Sequence, residues 1–164
     1  MRLVLDVENT TNKRREKLHL DHYEEGNFLV QVGMQNADNT EETHIVTIDH
    51  VEKKDTSGAW RKLVQQVLDM TTLLIMHNAQ HDLMWLWECG FKYDGAIYDT
   101  MLAEYILQRG QKEATSLEAC AERRKLNAQK DDTLKRYFKE GYNTNEIPLS
   151  ELSFYLRCDL DTTS

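Results

Sequence analysis

Asp6 and Glu8 flank Val7 directly after the apolar run Leu3-Val4-Leu5. A β-strand repeats every two residues, so both carboxylates project from one face at the end of what should be a buried strand. Like charges that close repel, and burial raises the cost of ionising both. A hard divalent cation, which prefers oxygen ligands, relieves such a pair best. With 28 acidic residues in 164, the same spacing also describes an exposed acidic strand end. Two later segments add weight. Asn78-Ala79-Gln80-His81-Asp82 follows the apolar run Leu73-Leu74-Ile75-Met76, and Tyr155-Leu156-Arg157-Cys158-Asp159 lies near the C-terminus. Tyr155 and Asp159 are one helical turn apart and share a face. The residues thus imply four carboxylates, Asp6, Glu8, Asp82 and Asp159, converging on divalent metal.

Asp-x-Glu on a first strand, Asn-x-x-x-Asp after an inner strand and Tyr-x-x-x-Asp on a late helix resemble the three-motif signature of the DEDD superfamily of 3′–5′ exonucleases, in its tyrosine subclass. The resemblance runs from Asp6 to Asp159. The sister subclass has a histidine five residues before the last aspartate, where this chain has Phe154. The resemblance implies a ribonuclease H-like fold and two bound ions, Mg²⁺ or Mn²⁺. Hydrolysing a phosphodiester at neutral pH needs an activated water, charge relief on the non-bridging oxygens and stabilisation of the leaving 3′-oxygen. Two metals about 3.5–4 Å apart can supply all three. By resemblance, Asp6 bridges both ions, Glu8 and Asp159 hold the ion nearer the attacking water, and Asp82 acts on the other side.

By the same resemblance, Tyr155 positions the attacking water; a phenol near its reference pKa of about 10 is a poor base. A core tyrosine would show the same helical spacing. Asp82 belongs to a first helical turn, where the dipole favours negative charge. Asn78 either hydrogen-bonds near the terminal nucleotide or caps the helix that follows. Asn9 stands where relatives commonly carry threonine, so it is a candidate contact to the 3′-terminal sugar.

Within the subclass, Tyr98-Asp99-Thr100-Met101-Leu102-Ala103-Glu104-Tyr105-Ile106-Leu107 is similar to the segment after the last strand in proofreading domains of A-family DNA polymerases. His77-Asn78 and Leu83-Met84-Trp85-Leu86 resemble the same group. Motif one begins at residue 6, as in bacteriophage members. The resemblance implies a substrate of DNA 3′ ends, single-stranded or frayed, with release of 5′-mononucleotides in a host cytoplasm. It also implies a covalently linked polymerase domain missing from this chain. The alternatives are a stand-alone DNA or RNA exonuclease of the ribonuclease D type, and an inactive nucleic-acid-binding module of the same fold. A lost carboxylate would mark the inactive module; all four are present.

The length of 164 residues suits a single domain spanning 1–164, with about two thirds of its unfolded surface buried. Apolar content of 40% and charged content of 29% are those of a soluble globular protein. No apolar run approaches the roughly 18 residues of a membrane span, so no membrane partner is expected. Met1 runs directly into a strand, leaving no room for a signal peptide. Cys89, Cys120 and Cys158 are odd in number and widely spaced, against both a disulfide framework and a Cys-x-x-Cys zinc site. A reducing cytoplasm is expected. A net charge of −8 is awkward for a nucleic-acid binder. An acidic enzyme acting on a polyanion must lean on its cations.

The elements that position these residues follow from patterning. Strands are expected over Leu3–Val7, Phe28–Met34, His44–Ile48, Leu73–His77 and Ala96–Tyr98, with Asn36–Thr40 as a turn and Thr10–Gly26 as a long hairpin connection. Trp60, Leu63, Val64, Val67 and Leu68 form a helical stripe. Leu83–Trp87 is apolar all round, so its helix should be buried on most sides and stop at Gly90. Asp99 should cap a helix with Met101, Leu102, Tyr105 and Ile106 facing inward. Thr115-Ser116-Leu117-Glu118 reads as a capping box for a helix to about Leu126. Leu134, Tyr137 and Phe138 mark a helix ended at Gly141, and Pro148 opens the last helix. Three consecutive strands followed by alternating strands and helices predict a mixed five-stranded sheet with helices on both faces. Ser164 lies about one turn past Asp159, which reads as a fragment of a longer polypeptide.

The remaining features have modest readings. His77 and His81 have the spacing of a zinc pair but lack the intervening glutamate, so structural roles are expected. The Lys13–Lys17 run and Arg123-Arg124-Lys125 could touch phosphates, but solvated charge is the default. Trp85 and Trp87 are expected in the core.

Overall fold

The computed structural model describes residues 1–14, 17–126 and 132–164, with backbone alone for 13, 14, 17 and 18. The reading of the Lys13–Lys17 run, solvated charge by default, lies outside the described side chains. Strand β1 (Arg2–Asn9) is followed by a small hairpin, β2 (Asn12–Arg14) and β3 (Lys17–His19), then by β4 (Leu29–Asn36) and β5 (Asn39–Thr47). A second small hairpin, β6 (Asp49–His50) and β7 (Lys53–Lys54), leads to α1 (Ala59–Asp69), β8 (Leu73–Met76), α2 (Ala79–Glu88), β9 (Ala96–Asp99) and α3 (Thr100–Leu107). Helices α4 (Leu117–Arg123) and α5 (Thr133–Lys139), a 3₁₀ turn and α6 (Leu149–Thr163) complete the chain. The main sheet runs β5-β4-β1-β8-β9; the first three strands are antiparallel and the last three parallel.

Alternation along β1 divides the two faces. Leu3, Leu5 and Val7 join Val32 and Met34 of β4 in a core with Trp60, Val64 and Leu68 of α1 and Leu83, Trp85 and Leu86 of α2. Val4, Asp6 and Glu8 take the opposite side, paired across the ladder with Gln35, Gly33 and Gln31. That side is covered by α6. A Cβ on Gly33 would lie 2.8 Å from Leu160 Cδ1 and 3.0 Å from Leu156 Cγ, so a larger residue would require these leucines to shift and glycine lets the helix approach without that. Gln31 donates to Ser153 at 2.8 Å and Gln35 to Asp161 at 2.5 Å, which fixes α6 along β4. Helices therefore cover both faces of a mixed five-stranded sheet, as expected.

Three expectations need correction. On α3, Leu102, Tyr105 and Ile106 point to solvent, with Tyr105 66% exposed, while Glu104 is buried. Glu104 accepts from Arg123 at 3.0 Å and from Arg124, so α3 packs on α4 through ion pairs and turns its apolar side outward. The strand before it, β9, is the sheet edge, and Ile97 and Tyr98 on it are exposed as well. Trp85 is core but Trp87 is 52% exposed, because α2 lies on the sheet with one side open. The cap of α4 is Ser116, whose hydroxyl accepts from the Ala119 amide, so the four-residue box over Thr115–Glu118 does not form. The same ion pairs take Arg123 and Arg124 away from any free basic patch.

Candidate active site

Asp6, Glu8 and Asp159 each offer a carboxylate oxygen, and these atoms lie within 4.8 Å of one another. The period of β1 places the first two together, and the close approach of α6 at Gly33 brings the third over them. Asp82 reaches the group from the first turn of α2 and is 2% exposed; its Oδ2 is buried without a hydrogen-bond partner. The Tyr155 hydroxyl donates to the Asp159 carboxylate one turn away. The five residues expected to be catalytic are thus brought together, three of them within 4.8 Å and Asp82 and Tyr155 beside them.

The electrostatics record the crowding. Burial, then the charge of Asp159, push Asp6 up to about 7, against the favourable Val7 amide, which donates to it at 3.1 Å. Burial and the charges of Asp6 and Asp159 raise Glu8 well above the usual carboxylate range. Burial again leads for Asp82, followed by Asp6, Glu8 and Asp99. Tyr155 is raised by burial, by Asp159, Glu8 and Asp6, and by its hydrogen bond to Asp159. Each carboxylate is therefore hard to ionise beside the others unless positive charge is present. The clustered donors are all carboxylate oxygens, without histidine or cysteine, a set that suits a hard divalent cation. The unpartnered Asp82 oxygen fits the same conclusion.

A family profile described as 3′-5′ exonuclease matches residues 16–155. The chain belongs to this exonuclease family. The matched stretch includes Asp82 and Tyr155, while Asp6, Glu8 and Asp159 lie just outside it, so their place beside the other two rests on the geometry above. A search of curated proteins found no match. An acidic cluster able to hold a cation, in a chain of an exonuclease family, makes nucleic acid the natural substrate class. Among the described residues no helix is long and apolar enough to cross a membrane.

Around the carboxylate cluster, several residues have roles that one-dimensional reasoning does not assign. Asp99 caps α3 as expected, accepting from the amides of Met101 and Leu102 at 2.9 and 3.2 Å. The same carboxylate also accepts from Asn78 and Ala79 at 3.1 and 2.9 Å, so it caps α2 as well and fixes the turn that carries Asp82. Asn78, in the left-handed region at φ 66°, makes no side-chain cap, so of its two possible roles the cap belongs to Asp99. Asn9 donates to the carbonyls of Thr10 and Leu20 and accepts from His81 Nε2 at 2.9 Å, tying strand, loop and helix together. His77 bonds Thr100 and the Thr115 carbonyl, so both histidines are structural, as expected. Gly33 did leave a sequence signal: Gln31, Gly33 and Gln35 alternate with apolar residues, marking a face that something approaches closely.

Proposed function

We propose that the chain removes nucleotides from the 3′ end of DNA, with Asp6, Glu8, Asp82 and Asp159 holding two Mg²⁺ or Mn²⁺ ions. The observation that supports this reading most strongly is three carboxylates within 4.8 Å beside a buried, unpartnered Asp82 oxygen. Bound ions would lower the pKa of a water and relieve charge on the phosphate and the leaving oxygen. A water oxygen attacks phosphorus, the bond to the 3′-oxygen breaks, and that oxygen leaves with a proton, giving a 5′-mononucleotide and a new 3′-hydroxyl. Tyr155 is held by Asp159 with its proton retained more tightly than in a free phenol, so its hydroxyl orients the water rather than deprotonating it. The Val7 amide favours the ionised forms of Asp6 and Asp82 from the strand end.

This activity would serve as the proofreading domain of an A-family DNA polymerase. In keeping with a linked partner domain, α3 exposes Leu102, Tyr105, Ile106 and Leu107, and β9, which it contacts, exposes Ile97. A 5′-labelled oligonucleotide tests the reading. It should shorten from its 3′ end in Mg²⁺ or Mn²⁺, release 5′-mononucleotides and stop when chelator is added. Alanine in place of Asp6, Glu8 or Asp159 should abolish turnover while far-UV circular dichroism stays the same. Activity that survives excess chelator would sink the metal reading, and faster shortening of RNA than of DNA would favour the ribonuclease D-type alternative.

A further inference from the structure

Beside the carboxylates lies a cleft of about 310 Å³, bounded by Asp21, His22 and Tyr23 on one side and by Asn78, His81 and Trp85 on the other. That volume is at the small end for ligand sites. We propose that this cleft binds a nucleobase of the single-stranded 3′ segment, with Tyr23 as its stacking surface. The proposal rests on the nuclease reading above.

Three observations support it. First, the rings form a ladder: Tyr23 meets His22 edge-on at 5.1 Å and 85°, and His22 meets Trp85 edge-on at 6.3 Å and 77°. Trp85 is buried and anchors the ladder, whereas Tyr23 ends it at 74% exposure. An aromatic ring held out to solvent by other rings offers a free π-face, the feature on which bases stack. Second, the loop that carries it is fastened. Trp85 Nε1 donates to the Leu20 carbonyl at 3.2 Å, Asn9 Nδ2 donates to the same carbonyl at 3.0 Å, and Asn27 Nδ2 donates to the carbonyls of His19 and Asp21 at 3.1 and 3.2 Å. Third, among the described residues the lining holds no lysine or arginine, and Asp21 would repel a phosphate, so an uncharged planar group fits these side chains better than the backbone. Donors and acceptors for a base edge are available from the exposed Asn78 and Gln80 side chains. His81 adds another. Asn9 uses both Nδ2 hydrogens on carbonyls, so its Oδ1 accepts from His81 Nε2–H, leaving Nδ1 of the neutral ring as an acceptor.

His81 of the cleft precedes Asp82 and Asn9 follows Glu8 in the chain, and the His81–Asn9 hydrogen bond ties the cleft lining to the strand end that carries the carboxylates. A base seated there would belong to one of the last few nucleotides. The test is a set of 5′-labelled single-stranded oligonucleotides carrying an abasic residue at the first, second or third position from the 3′ end. Tyr23→Ala should raise KM roughly 5- to 150-fold, the range for loss of one stacked base, with kcat unchanged; Tyr23→Phe, which keeps the ring, should behave like the parent. At one position the abasic residue should cost the parent a similar factor and cost Tyr23→Ala nothing more. Parent-like KM in Tyr23→Ala, or penalties that multiply at all three positions, would overturn the proposal. Fluorescence anisotropy of the same oligonucleotides in Ca²⁺ reads the affinity loss separately from turnover. A parent that binds but does not hydrolyse in Mg²⁺ or Mn²⁺ would sink the nuclease reading alone; equal binding by parent and Tyr23→Ala would sink this one.

Discussion

Stripped of divalent ions, the protein should lose stability as pH rises from about 4 toward 8, and Asp6→Asn should cancel much of that loss. The folded state raises the Asp6 carboxyl from 3.8 to about 7. A folded pKa above the unfolded one means that the native state binds the proton more tightly, so stability is fully present below the unfolded value and is lost as pH rises through the folded value. A rise of that size is worth about 4 kcal/mol, an upper figure because Asp6 shares its repulsion with Glu8 and Asp159. For a domain of this size each kcal/mol moves the midpoint by about 2–4 °C, so the fall should be on the order of 10 °C. His77 and His81, both lowered by burial, give the opposite slope near and below their usual pKa, so the difference between parent and variant at each pH is the informative quantity.

The assay is thermal unfolding followed by circular dichroism from pH 5 to 8.5, in chelator and in saturating Mg²⁺ or Mn²⁺. In chelator at pH 8 the inactive Asp6→Asn protein should melt higher than the parent, since an amide removes the repulsion and its carbonyl can still accept from Val7. Added ions should raise the parent's midpoint, with an ion at about 100 times its Kd contributing about 2.7 kcal/mol, and should raise the variant's far less. If the variant melts lower than the parent in chelator at pH 8, or if ions stabilise both equally, the carboxylates are not crowded as described and the reasoning fails.

Tyr155→Phe removes one hydrogen bond to the water, about 1–3 kcal/mol, so single-turnover rates should fall by roughly one to two powers of ten; a loss equal to that of Asp6→Ala would mean obligatory proton transfer by the tyrosine. Gly33→Ala puts a methyl group 2.8 Å from Leu160 Cδ1; it should cost about 1–3 kcal/mol by overpacking and raise the Mg²⁺ concentration for half-maximal activity as α6 lifts Asp159. Unchanged Mg²⁺ dependence would show that the side chains absorb the methyl. Asp99→Ala uncaps two helices, each cap worth about 0.5–2 kcal/mol, so urea unfolding should show a larger loss than for Ser116→Ala, which uncaps one.

The parts of the site that were legible in the sequence are those fixed by local period. Strand alternation alone puts Asp6 and Glu8 together, and one helical turn joins Tyr155 to Asp159. The sheet was legible for the same reason, because each strand has its own apolar run. What failed depended on partners distant in the chain. The apolar pattern of α3 points inward only if nothing else claims the inner side, and Glu104 claims it through arginines 19 and 20 residues later. No local signal announces that Asp99 caps two helices 20 residues apart, or that Leu20 serves as acceptor for both Asn9 and Trp85. Asn78 and Asn9 look alike as polar residues beside a motif, yet one is exposed on the cleft and the other is 6% exposed and fully engaged within the protein.

The acidity of the chain has a physical logic once these contacts are counted. Asp6, Glu8, Asp82 and Asp159, when ionised, carry half of the formal net charge of −8, and bound cations would neutralise that half where the phosphate must lie. Some basic residues are engaged within the protein: Arg123 and Arg124 hold Glu104, Arg123 also meets Glu113 at 2.7 Å, and Arg2 pairs with Asp38. Duplex DNA presents its charged backbone and stacked, covered bases, so a chain of net charge −8 gains little from it. A single strand also presents open base faces, which an exposed ring beside the carboxylates can engage without any positive charge. On the proposed function an unpaired 3′ end would be favoured twice: its phosphate would reach bound cations and its bases would be free to stack. Under the proposed function a blunt duplex should therefore be shortened more slowly than a single strand of the same sequence, and equal rates would contradict this reasoning.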